Sequence, residues 1–248
     1  MKGFFVLLSY GFRKRCKDFF LIIYNIVYPM ILILLYEYLA VNYFKGDKSI
    51  TSSYYYVIVL IPFFIFTNII TMAYVAKDES LSKTAYGFLS APIDNSAIVL
   101  SKIISCTVIS WGCSLILLII SKVLLNVNFE GSTLKILILF FTENFMAASI
   151  GIFLGIAMKN FKTIKGILNI PISIFGVLGG CFFPVGSLGR TFEKVSYISP
   201  FTWINRGIIS EVYDKSQTIL VGTILVTLVF GIIFSIVASI LFNKEVFL

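Results

Sequence analysis

Residues 77–102 read KDESLSKTAYGFLSAPIDNSAIVLSK and lie between two apolar runs, 54–76 and 103–125. Each run has the roughly 20 residues that a helix needs to cross the hydrocarbon core of a bilayer. The segment between them is polar, carries lysine at both ends and is far longer than a turn requires. Within it Leu81, Ala85, Phe88 and Leu89 recur at helical spacing, and Pro92 blocks continuation. The pattern predicts two membrane helices joined by a short amphipathic helix over 78–91. A linker of this length and patterning is expected to dock onto something on the cytoplasmic side.

Composition agrees with a membrane setting throughout. The 248 residues are 58% hydrophobic and only 13% charged, with a mean hydropathy of +0.98, well outside the range of water-soluble domains. The 25 Phe and 13 Tyr exceed what a soluble core of this size uses. They suit lipid, neighbouring helices and the two interfaces. A net charge of +8 would fit nucleic acid only if a soluble basic domain carried it; none is apparent, and the positive-inside rule accounts for the charge instead.

Working outward gives six expected spans, at about 19–40, 54–76, 103–125, 136–158, 166–184 and 218–242. The first is too long for a signal-peptide core and ends in a poor cleavage site, Tyr38-Leu39-Ala40, so it reads as uncleaved. Ahead of it, Phe5, Leu8, Phe12 and Cys16 recur at three- and four-residue steps, opposite Lys2, Ser9, Arg13 and Lys17. Residues 1–18 are therefore expected to form an amphipathic interfacial helix. Placing both termini in the cytoplasm puts most of the 20 basic residues there. Residues 185–215 are too polar to span, yet Phe192, Tyr197, Phe201 and Trp203 are too apolar for a free loop. They are expected to lie in or dip into the outer interface. The whole chain, 1–248, reads as one all-α membrane domain.

Several chemistries are excluded. There is no His, which removes the commonest general base and metal ligand. Cys16, Cys106, Cys113 and Cys181 fit no metal spacing and imply no disulfide framework. No phosphate loop, H-E-x-x-H or G-x-S-x-G occurs, and the aspartates are confined to loops. An intramembrane enzyme is thus disfavoured, and ATP hydrolysis would need another subunit. A channel or secondary transporter stays open as the alternative class, although no internal repeat is evident.

Two segments carry a family resemblance. In the first, Glu79, Thr84, Phe88, Leu89 and Pro92, with Lys102 ten residues on, fall on the pattern of the coupling region in the ATP-binding-cassette type-2 permeases. Leu81 and Tyr86 replace acids of that pattern, and Lys83 and Ser101 replace glycines. In the second, Gly179, Gly180, Phe182, Phe183 and Pro184, then Ser199, Pro200, Asn205 and Arg206, resemble the segment that follows the fifth span in the same family. The resemblance implies an exporter subunit with a cytoplasmic coupling helix within 77–102 and re-entrant helices within 185–215. It implies two copies of an ATP-binding subunit, which would hold ATP and Mg, while this chain holds no cofactor. It also implies a second permease, identical or homologous, in a bacterial plasma membrane.

On that resemblance Glu79, Leu81, Thr84, Ala85, Phe88, Leu89 and Pro92 are candidates for contact with the ATPase. Asn25, Tyr28, Phe66, Asn68, Ile172, Phe175 and Leu178 are candidates for a cargo path, and Gly180, Phe182, Phe183 and Pro184 for an outer gate. An aromatic lining suggests an amphipathic or lipid-like cargo, such as a drug, an antimicrobial peptide or a lipid-linked glycan. For the same residues ordinary helix packing is the competing reading. Glu143 is expected to make an interhelical hydrogen bond and Glu37 to snorkel toward the interface. Pro29, Pro62 and Pro171 are candidate kinks. Ala147, Gly151 and Gly155 form a small-residue stripe suited to close packing, either within the subunit or across a dimer.

Overall fold

The computed structural model describes residues 2–43, 52–77, 93–127, 133–158, 161–183, 189–213 and 216–242. All regular structure among them is helical: α1 (Lys2–Cys16), α2 (Phe19–Tyr43), α3 (Ser52–Ala76), α4 (Asn95–Leu125), α5 (Thr133–Ala157), α6 (Phe161–Leu178), α7 (Arg190–Ser196), α8 (Pro200–Tyr213) and α9 (Thr218–Leu241). Hydrocarbon offers no hydrogen bonds, so a long apolar segment satisfies its own backbone as a helix. Five described helices, α2, α3, α4, α5 and α9, are long and apolar enough to cross a membrane. The chain is a multi-pass membrane protein.

The expected span at 166–184 corresponds to α6, whose apolar part, Lys165–Leu178, is shorter. A Schellman turn ends it: Cys181 N–H donates to Gly176 C=O (2.9 Å) and Gly180 N–H to Val177 C=O (3.2 Å). Gly180 sits at φ 80° as this motif requires. Gly180→Ala is expected to cost about 1–2 kcal/mol, visible as a lower thermal midpoint; an unchanged midpoint would contradict the role given to this turn. The expected third span, 103–125, is the inner part of a longer helix. α4 begins at Asn95, with Asp94 C=O accepting from Ala97 N–H and Ile98 N–H, and runs unbroken to Leu125.

The break between α1 and α2 has a local cause. Asp18 caps α2, its Oδ1 accepting from Leu21 N–H at 3.2 Å and its C=O from Ile22 N–H at 3.2 Å. Arg15, nearly buried, pairs with the same carboxylate at 3.4 Å. α1 packs along α4 and leaves Phe5 and Val6 exposed, as an interfacial helix does.

α3 is the hub, with α2, α4, α5, α6 and α8 all packed on it. Its tightest neighbour is α5, and there the small-residue stripe lies. A Cβ added at Gly151 would stand 2.5 Å from Ile69 O, and one at Gly155 would stand 2.6 Å from Ala76 Cβ. Of the two readings of that stripe, the structure shows packing within the subunit. Lipid tails are as apolar as leucine, so such backbone-to-backbone fit, rather than hydrophobic burial, holds membrane helices together. Pro29, Pro62 and Pro171 lie inside α2, α3 and α6.

Candidate functional site

The segment singled out by sequence enters and leaves the bundle at one end, beside α1. Lys77 follows the last residue of α3, and its Nζ donates to Met158 C=O at the end of α5. Lys102 lies two turns into α4, and its Nζ donates to Ala76 C=O at the end of α3, 3.1 Å away. A helix leaves its last four carbonyls unsatisfied, and its C-terminus carries partial negative charge. The two lysines therefore cap α3 and α5 while flanking the 78–92 segment. Burial pulls the Lys77 ammonium below the ordinary lysine pKa. Glu79, Leu81, Thr84, Ala85, Phe88, Leu89 and Pro92 lie outside the described residues.

A buried polar bridge sits nearer the α1 end of the bundle than its middle. Asn68 Nδ2 of α3 donates to Asn25 Oδ1 of α2, and Asn25 Nδ2 donates to Leu21 C=O at 2.8 Å. An intramembrane bond of this kind contributes on the order of 1 kcal/mol and fixes the register of the two helices. Tyr28 is exposed on α2 and stands edge-on to Phe64, with ring centroids 5.5 Å apart. Ile172 is buried in the core, and Leu178 is half-buried at the end of α6. Phe66 and Phe175 line one cavity, together with residues of α5, α8 and α9. The seven path candidates thus form one pair at Asn25 and Asn68, another at Phe66 and Phe175, and three separate positions.

At the opposite end, the candidate gate is tied down from several sides. Tyr55 Oη donates to Gly180 C=O at 2.8 Å, and Tyr56 Oη to Phe182 C=O at 3.4 Å. The Phe182 ring stands edge-on to Phe63, with centroids 5.4 Å apart. Carbonyls at the end of α6 are met from α8 and the turn before it: Ser199 Oγ donates to Phe175 C=O (2.7 Å), Thr202 Oγ1 to Leu178 C=O (3.4 Å) and Asn205 Nδ2 to Gly179 C=O (2.9 Å). Phe183 is half-buried, and Pro184 lies outside the described residues.

Sequence reading missed this capping because the donors sit more than twenty positions from their acceptors. The only local hint was polar residues at 199, 202 and 205, spaced to share one face of a helix. Two carboxylates also differ from expectation. Glu143 is fully buried, yet neither of its oxygens meets a hydrogen-bond partner among the described residues. Glu37 accepts a hydrogen bond from Ser53 Oγ of α3 instead of only reaching toward the interface.

A family model described as ABC-2 type transporter matches residues 2–213, from the start of α1 to the end of α8. No curated protein matches the chain.

Proposed function

The chain belongs to the ABC-2 type transporter family, and we propose that it is the permease of an ATP-driven exporter, working with a separate ATP-binding subunit. In this reading two permeases, identical or homologous, pair with two ATP-binding subunits. Both termini and the 78–92 segment face the cytoplasm, and the helix over 78–91 seats its apolar stripe in a groove of the ATPase. ATP-driven closure of the two ATPases displaces that helix. The displacement alternates access between the two faces, and cargo leaves past residues 179–206. The cargo class that suits so apolar a bundle is amphipathic or lipid-like.

One observation carries the reading: the lysines on either side of the 78–92 segment are bonded to the ends of α3 and α5. A push on that segment is therefore delivered to α3, α4 and α5 together rather than absorbed by a slack linker. The test is co-purification in mild detergent. The wild-type chain is expected to bring down a stoichiometric ATP-binding-cassette protein. Phe88→Asp or Leu89→Asp is expected to abolish that association while membrane insertion is kept, because a charge in a desolvated apolar seat is costly. Undiminished association in both variants would overturn the docking assignment.

A further inference from the structure

α9 packs on α4, α5 and α8, whereas α6 packs on α3 and α8. The space left between α6 and α9 is a cavity of about 870 Å³, near the upper end of the roughly 300–1,000 Å³ typical of small-molecule sites. We propose that it is a phospholipid site, with an acyl chain lying along α9 and the phosphate held at the α7–α8 rim by Arg206 and Lys194.

The lining chooses hydrocarbon. Phe66, Met146, Ile150, Phe175 and Phe230 surround the cavity. Two of its threonines have already used their hydroxyls as donors: Thr223 donates to Ile219 C=O at 2.8 Å, and Thr227 to Thr223 C=O at 3.0 Å. A water there would lack the two to four polar partners it needs. The shape is that of a chain. The α9 lining runs from Thr218 to Phe234, about 24 Å at 1.5 Å per residue, which exceeds one leaflet of a hydrocarbon core about 30 Å thick. The cavity also opens sideways, since Ile198 is 71% exposed and Val226 55% exposed, so lipid tails reach it directly.

The rim chooses the head group and disfavours a helix from a second copy. Pro200, Trp203 and Ile204 of α8 roof the cavity at one end, so a transmembrane helix could not run through it. Beside that roof the Arg206 guanidinium lies over the Tyr197 ring, 4.3 Å from its centroid, and pairs with Glu193 at 2.9 Å. Trp203 Nε1 donates to Tyr197 C=O at 3.0 Å, and its ring is edge-on to Tyr197 with centroids 5.5 Å apart. Exposed Lys194 stands one turn before Ile198. Tryptophan and tyrosine mark head-group depth in a bilayer. Two cations set against one carboxylate at that depth leave a positive charge for a phosphate.

Two measurements test the site. Native mass spectrometry of the detergent-purified chain, with whatever subunits accompany it, is expected to show one retained phospholipid per chain. Gly222→Phe fills the cavity from a position whose Cβ would meet nothing within 4 Å, and it is expected to lower that occupancy at least fivefold. Val221→Phe, exposed on α9 and outside the lining, is expected to leave it unchanged. Equal occupancy in all three proteins would overturn the site.

The second measurement uses the wild-type chain in vesicles of phosphatidylethanolamine and phosphatidylglycerol containing a phospholipid with a photoreactive acyl chain. Label concentrated at Met146, Ile150 and Phe175 supports the site. Label spread evenly over exposed Leu225, Ile232 and Ile236 would mean annular lipid only and would overturn it. Cross-links joining two copies through the cavity would show a second chain there and overturn it as well.

Discussion

Replacing Gly151 and Gly155 together by leucine is expected to unseat α5 from α3 and to cost the protein its folded state in detergent. At Gly151 the new Cβ would stand 2.5 Å from both Ile69 O and Met72 Cβ and 3.1 Å from Ala73 N. Two of these three atoms are backbone, so no rotamer change relieves the clash. Overpacking a well-filled interior ordinarily costs about 1–3 kcal/mol per site, and here the helices themselves must part. α3 is the hub of the bundle, so α2, α6 and α8 lose their seat with it. The expected readout is a monodisperse peak in size-exclusion chromatography for wild type and an aggregate for the double variant. Gly112→Leu is the matched control, because a Cβ there meets nothing within 4 Å. Wild-type behaviour of Gly151→Leu/Gly155→Leu would refute close α3–α5 packing.

On the proposed function, substituting Lys77 and Lys102 together by methionine is expected to separate binding of the ATPase from transport. Methionine keeps the length and apolar stem of each side chain while removing the charge that caps α3 and α5. Each cap contributes about 1 kcal/mol, and the chain then keeps its fold but loses stiffness where the 78–92 segment joins the bundle. The ATP-binding subunit should still co-purify, while cargo export falls on the order of tenfold, since about 1.4 kcal/mol corresponds to one factor of ten. Arginine at both positions should restore most of the loss, because it keeps the charge and the donors. Undiminished export in the methionine variant would remove the caps from the mechanism.

A pH series adds a sign. Burial disfavours the charged form of Lys77 and lowers its pKa, so the Lys77 cap is fully charged at low pH and weakens as pH rises through that lowered value. Wild-type export is therefore expected to decline on the alkaline side earlier than that of Lys77→Arg, whose guanidinium stays charged. Superimposed profiles would contradict this.

The contrast between what was and was not legible in the sequence follows from range. Hydropathy over 20-residue windows reports the bilayer, and it located α2, α3, α5 and α9 to within a few residues but missed the first two turns of α4. The stripe at 147, 151 and 155 announced close packing but not its partner, because a single helix face does not name what it meets. Asn25 and Asn68 stood out as isolated polar residues in apolar helices, although their pairing depends on the register between α2 and α3. Lys77 on Met158 and Asn205 on Gly179 are contacts between distant segments, and nothing local names their acceptors. The resemblance names Phe66 and Phe175, but nothing local joins them into one cavity. It exists because α6 stops early and α9 leans on α5, so neither fills the space between them.

The close fit of α3 to α5 also sets a timetable. α3 ends at residue 76 and α5 at residue 157, so about eighty more residues must be synthesised before the hub helix meets the surface shaped to receive it. At about 5–20 residues per second that interval is on the order of ten seconds. Throughout it α3 stands in the membrane with the seat for Gly151 and Gly155 facing lipid or the insertion machinery. The helix on which the finished bundle depends most thus spends the early life of each new chain waiting, and whatever shelters its open face during that interval governs the yield of folded protein.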